Sequence, residues 1–103
     1  MIYKIKKIKQ AENEYNALTK EQQELLNADY LLVETEGIER VSTKKIEQDI
    51  FEIRTERLRS LYTYRENALI IVVTIFVKST QKTPEKYKKL ARKRIKNLGG
   101  QYD

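Results

Sequence analysis

The run ALIIVVTIFV, residues 68–77, carries no charge and is dominated by β-branched side chains, which favour extended backbone. A helix needs ~20 apolar residues to cross a bilayer, and this run has ten. It therefore reads as a strand apolar on both faces, buried in the centre of a sheet or covered by a helix on one side. A chain of 103 residues can bury one modest core, so a single domain spanning 1–103, with one site on one scaffold, is expected.

The rest of the chain supplies the partners of that strand. MIYKIKKIK alternates well enough for a short first strand. It lacks an apolar stretch followed by a small-residue cleavage site, so no signal peptide is expected. The segment 9–36 is rich in Glu, Gln, Leu and Ala and predicts two helices, at about 9–17 and 20–35. Thr19 with Gln22 forms a capping box, and Gly37 is a natural stop. Leu25, Leu26, Ala28 or Asp29, Leu32 and Val33 make the apolar stripe of the second helix. GIERVSTKK reads as a loop. Beyond it, IFEIRT and RLRSLYTYR alternate as strands, with a tight turn at Glu66–Asn67. Thr83 is placed to cap a last helix running from Pro84 to about Leu98, with Pro84 in its first position and glycines 99 and 100 ending it. The architecture expected is α+β: a short strand, two helices, a mostly antiparallel sheet of three to four strands and a C-terminal helix.

Charge is divided unevenly along the chain. Residues 1–51 hold 8 basic and 10 acidic side chains, a balance of −2, whereas 52–103 hold 13 and 5, a balance of +8. The positive half favours a polyanion: nucleic acid is the commonest large one inside a cell, and an acidic protein partner or an anionic membrane answers equally well to charge alone. With no cysteine and no histidine, disulfides, thiol nucleophiles, imidazole bases and the usual zinc ligands are excluded. The carboxylates lack metal-binding spacing and there is no glycine-rich phosphate loop, so neither metal nor cofactor is expected. What remains is cationic: Arg54, Arg57, Arg59, Arg65 and Lys78 on three successive strands, interleaved with Tyr62 and Tyr64. Arg54, at least one of Arg57 and Arg59, and Lys78 can share one face that suits a phosphate. The tyrosines offer rings on which unpaired bases stack. By spacing alone the arginines read first as a solvated or salt-bridged sheet face, Tyr62 and Tyr64 as core or cross-strand packing, and the lysines of the last helix as a solubilising surface, so the cluster by itself supports polyanion binding and not catalysis.

The order of the pieces adds a resemblance. From Ile50 to Leu98 the chain has the FEIR strand, arginines ahead of a tyrosine, a buried strand ending F-x-K, then TQKTP opening a helix with an A-x-x-R element at Ala91–Arg94. In this it resembles the phage-derived, HigB-like branch of the RelE/ParE toxin superfamily. The resemblance implies the toxin of a type II toxin–antitoxin pair: a cytoplasmic, metal-independent endoribonuclease that cleaves mRNA on the ribosome and inhibits translation. It implies a cognate antitoxin, a helix-turn-helix protein joined with the toxin in a hetero-oligomer, and no membrane partner. Carried onto this chain, the catalytic set is Arg54, Arg57, Arg59 and Lys78, with Tyr62, Tyr64, Arg65 and Lys82 as RNA contacts. Ser79 stands where the family commonly has a second lysine, so either Lys82 compensates or activity is weakened. A non-enzymatic binding module and a ParE-like gyrase poison are the alternatives.

Overall fold

The apolar run forms β5 (Leu69–Val77), and in the computed structural model, which describes residues 1–99, it lies inside a five-stranded sheet. The other strands are β1 (Lys4–Lys7), β2 (Ser42–Glu47), β3 (Ile50–Thr55) and β4 (Leu58–Arg65), in the order β1-β5-β4-β3-β2. Pairing is antiparallel throughout except at β1, which runs parallel to β5 from Lys4↔Leu69 to Lys7↔Val72. The sheet is thus mixed and one strand larger than the sequence suggests. The missed strand is β2, inside the segment read as loop and strongly polar: Ser42 to Lys45 are exposed. An edge strand has only one paired side, and lysines there discourage further pairing, so its sequence carries little apolar signal.

Helices cover both faces. On one, α2 (Lys20–Glu36) packs through Leu26, Tyr30 and Val33, spaced four and three apart, and the buried Tyr30 hydroxyl bonds to Ser60 Oγ of β4 at 2.6 Å. The stripe is therefore rotated from the expected one: Leu25, one residue off it, is 38% exposed. Burial pushes the Tyr30 hydroxyl pKa up despite the Ser60 bond. Thr19 and Gln22 cap α2 reciprocally, as their spacing predicts. On the other face α3 (Glu85–Lys96) is anchored by Tyr87, whose ring stacks on Phe76 at 3.7 Å, and by the fully buried Ala91. Pro84 occupies the N-cap of α3, and Thr83 does not cap it because its hydroxyl is used elsewhere. Gly99 has φ +55, a left-handed value that suits glycine, whereas Gly100 lies outside the described residues.

The remaining helix, α1 (Lys9–Asn16), follows β1 directly and continues along the edge of β5 where β1 stops. There Glu14 accepts hydrogen bonds from the Ile75 amide and the Thr74 hydroxyl, both at 3.0 Å. A carboxylate thus takes the place of a strand neighbour. The β4–β5 register slips between Leu61↔Thr74 and Tyr62↔Val72, leaving Val73 unopposed in a bulge. Arg94 of α3 donates to the Val73 carbonyl at 2.8 Å and to Glu14 at 2.9 Å. The Ala91–Arg94 element therefore ties α3 to the sheet edge.

Candidate functional site

Three pieces of backbone meet at one end of the sheet: the β3–β4 turn, the end of β5, and the segment between β5 and α3. They enclose an open recess of ≈ 540 Å³ lined by Arg54, Arg57, Arg59, Lys78, Ser79, Thr80 and Gln81. All four residues expected to be catalytic line it. Strand alternation explains the convergence. Arg54 and Arg59 are direct cross-strand partners and so project from the same face, the one that carries Phe76 and α3. Arg57 is exposed in the turn, and the Lys78 amide donates to the Arg57 carbonyl at 2.7 Å, closing the ladder where the lysine leaves β5.

Two guanidinium groups facing one another across a pair of strands repel. Glu52, two residues before Arg54 and fully buried, lies beside both: its Oε1 is 3.2 Å from Arg54 Nε and 3.9 Å from Arg59 Nε. Its other oxygen, Oε2, accepts from Thr83 Oγ1 at 2.7 Å, which draws the 79–83 segment over the sheet. Arg59 Nη1 donates to the Glu56 and Leu58 carbonyls at 2.6 and 2.8 Å, fixing the side chain, while its buried Nε has no hydrogen-bond partner among the described residues. Glu52 is the residue that sequence reasoning passed over, as one polar position in an alternating strand. The available signal was its place on the Arg54 face, two residues away.

Lys78 is 8% exposed, an unusual position for an ammonium group. Desolvation lowers its pKa from the ordinary lysine value; Glu52 opposes that shift, and Arg59, Arg54 and Lys44 add to it. Lys44 belongs to the same face, since β2 pairs it with Glu52. The recess therefore offers charged guanidinium donors for anionic oxygens and an amine that gives up its proton more readily than a free lysine does.

The residues expected as RNA contacts lie elsewhere. Tyr62 and Tyr64 point to the opposite face of β4 from Arg59. Tyr62 is buried, with Phe51 stacked at 5.7 Å and Tyr64 edge-on at 5.3 Å, and offers no ring face to a base. Tyr64 is half-buried among Tyr3, Phe51 and Tyr62. Arg65 is on the Arg59 face but six residues along β4, roughly 20 Å away, where it donates to Thr63 Oγ1 and the Tyr64 carbonyl. Lys82 is exposed and outside the recess lining; its carbonyl accepts from Thr80 Oγ1 at 2.7 Å. Ser79 lines the recess in its own right. Among the described residues no cluster of acidic side chains is arranged to hold a metal ion, and no helix is long and apolar enough to cross a membrane.

A mixed sheet closed by a C-terminal helix, with cations gathered where β5 ends, defines a RelE-like fold. Solved structures of that class superpose on it. The RelBE2 toxin–antitoxin complex of Mycobacterium tuberculosis aligns at TM-score 0.63 and 15% identity, over 76% of this chain and all of the matched one. The free Escherichia coli toxin RelE, with two arginines replaced by alanine, aligns at 0.62 and 19% over 95% and 99%. The same mutant bound to a peptide of the antitoxin RelB aligns at 0.57 and 22% over 86% and 94%. No curated protein matches the sequence. The model of the phage-derived Gp49-like proteins (DUF891) matches residues 13–96, and the chain belongs to that family.

Proposed function

We propose that this protein is the toxin of a type II toxin–antitoxin pair and a metal-independent endoribonuclease that cleaves mRNA on the ribosome. The observation that carries the reading is the convergence of Arg54, Arg57, Arg59 and Lys78 on one recess. The RelE-like fold and the toxin–antitoxin complexes among its structural neighbours support it.

Cleavage requires the ribose 2′-hydroxyl to attack the adjacent phosphorus, forming a 2′,3′-cyclic phosphate as the P–O5′ bond breaks and the 5′-oxygen takes a proton from water. Lys78, with its lowered pKa, takes the proton of the 2′-hydroxyl as general base. Arg54 and Arg57 hold the phosphate oxygens as negative charge grows on them, and the Arg59 guanidinium, fixed by the Glu56 and Leu58 carbonyls, adds positive charge beside them. Antitoxin binding is part of the proposal, and so is the ribosome as the source of a positioned message.

Inducible expression in a bacterial host, with new mRNA 5′ ends mapped within minutes, tests the reading. Wild-type protein should generate ends inside translated regions, and Lys78→Ala should lose them while remaining folded. Intact messages together with an induced DNA-damage response would favour a gyrase-directed toxin. Salt-sensitive RNA binding with no cleaved product would favour a binding module.

A further inference from the structure

Glu52 has no role in the chemistry just described, yet among the described residues it is the one carboxylate paired with the arginines of the cluster. It is fully buried, and its two oxygens serve different parts of the site. Oε1 faces the arginines of the sheet, at 3.2 Å from Arg54 Nε and 3.9 Å from Arg59 Nε. Oε2 receives the Thr83 hydroxyl at 2.7 Å, from the segment whose residues Ser79, Thr80 and Gln81 form the opposite wall. We infer that Glu52 is the positioning residue of the recess, a buried clamp that sets the orientation of the Arg54 guanidinium and the distance between the sheet wall and the 79–81 wall.

A carboxylate in an anion-binding site works against affinity, because it repels the ligand. Its presence at the base of the recess is accounted for by geometry: a guanidinium held by one nitrogen presents its remaining donors in a fixed direction. Thr83 lies where a helix cap was expected, and its hydroxyl goes to Glu52 while α3 begins without a side-chain cap. Among the described residues the charged groups around Lys78 are Glu52 and Arg54 of β3, Arg59 of β4, Arg57 of the turn and Lys44 of β2. Glu52 is the single anion among them, so removing its charge also acts on the Lys78 ammonium.

The inference rests on the ribonuclease reading only in taking RNA as the anion, and its test separates the two. Glu52→Gln keeps the shape of the side chain and removes the charge; Thr83→Val cuts the loop contact alone. Wild type and both variants are compared by NMR, following the Lys78 side-chain titration, the Arg54 Nε resonance and the amides of residues 79–81, beside binding of a short single-stranded RNA and its cleavage on translating ribosomes. Glu52→Gln should shift the Lys78 titration to lower pH, move the Arg54 Nε signal and reduce cleavage by ~10²-fold, as expected for a misplaced group. RNA affinity should be unchanged or higher. Thr83→Val should move the 79–81 amides and slow cleavage without displacing the Lys78 titration. If Glu52→Gln leaves both the Lys78 titration and the Arg54 signal in place, the inference is overturned whatever happens to cleavage. If the wild-type protein cleaves no message, the ribonuclease reading fails, and the NMR comparison still decides the role of Glu52.

Discussion

Lys78 sits under two opposed influences, and their balance fixes a pH dependence. Desolvation by its surroundings disfavours the ammonium form, and Glu52 only partly offsets this against Arg59, Arg54 and Lys44. The folded chain therefore loses this proton at lower pH than the unfolded chain, where lysine titrates near ~10.4. Between those two pH values the native state binds fewer protons than the unfolded one, so stability contributed at this residue rises with pH. Below that interval the cost of partly desolvating the ammonium is present in full. Lys78→Met, which fills similar space without charge, is accordingly expected to match or exceed wild type in denaturation midpoint at pH 7, and to lose the alkaline rise. Chemical denaturation of both proteins at pH 7 and 10 measures it, and a lower midpoint for Lys78→Met at pH 7 would contradict the account. Under the proposed function the same substitution should abolish mRNA cleavage, the pattern of a residue kept at a cost in stability; cleavage retained in Lys78→Met would remove Lys78 from the chemistry.

The elements differ in how plainly the sequence declares them, and each difference has a physical cause. α2 was legible because propensity, the Thr19–Gln22 box and Gly37 agree; replacing Thr19 with Ala should cost about 1 kcal/mol in a denaturant titration, since the Gln22 amide loses its acceptor. β5 was legible because a strand buried on both faces has nothing polar to disguise it. β2 was not, because an edge strand satisfies its exposed side with water and carries lysines. The parallel pairing of β1 was equally hidden, since periodicity within four residues says nothing about direction. At the site, strand alternation brought Arg54, one of Arg57 and Arg59, and Lys78 to one face, and the resemblance supplied the full set; Arg57 itself sits in the β3–β4 turn, and Tyr62 and Tyr64 follow the alternation onto the other face and into an aromatic cluster. The role of Arg94 needed the bulge at Val73, which no local pattern encodes. Arg94→Ala removes the guanidinium that donates to the Val73 carbonyl and to Glu14 Oε2, while Oε1 keeps its Thr74 and Ile75 donors, and a loss of about 1.5–3 kcal/mol is expected by thermal or chemical unfolding. A loss well below that range would mean water replaces the guanidinium at the sheet edge.

On the scale of the whole molecule, the uneven charge of the sequence is used in two ways. Some cations of the second half are consumed internally: Arg92 pairs with Glu47 and Glu85, and Arg94 with Glu14. The acidic N-terminal half thus supplies partners for α3, and the net positive field is left to the recess and the exposed lysines. Release of counterions from single-stranded nucleic acid scales with phosphates contacted, at ~0.7 per phosphate in the slope of log K against log salt. If Arg54, Arg57 and Lys78 each meet a phosphate, their joint share of that slope is roughly 2. The Arg57 side chain, exposed in the turn, makes no hydrogen bond or ion pair with the described residues, so Arg57→Ala should lower the slope magnitude by ~0.7 without changing the unfolding midpoint. The measurement is fluorescence anisotropy of a labelled single-stranded RNA across a salt series, for wild type and Arg57→Ala. An unchanged slope would place Arg57 outside the RNA path and confine the site to Arg54, Arg59 and Lys78. A slope lower by much more than one phosphate would mean the turn organises its neighbours, because a single side chain cannot release more counterions than the phosphate it neutralises.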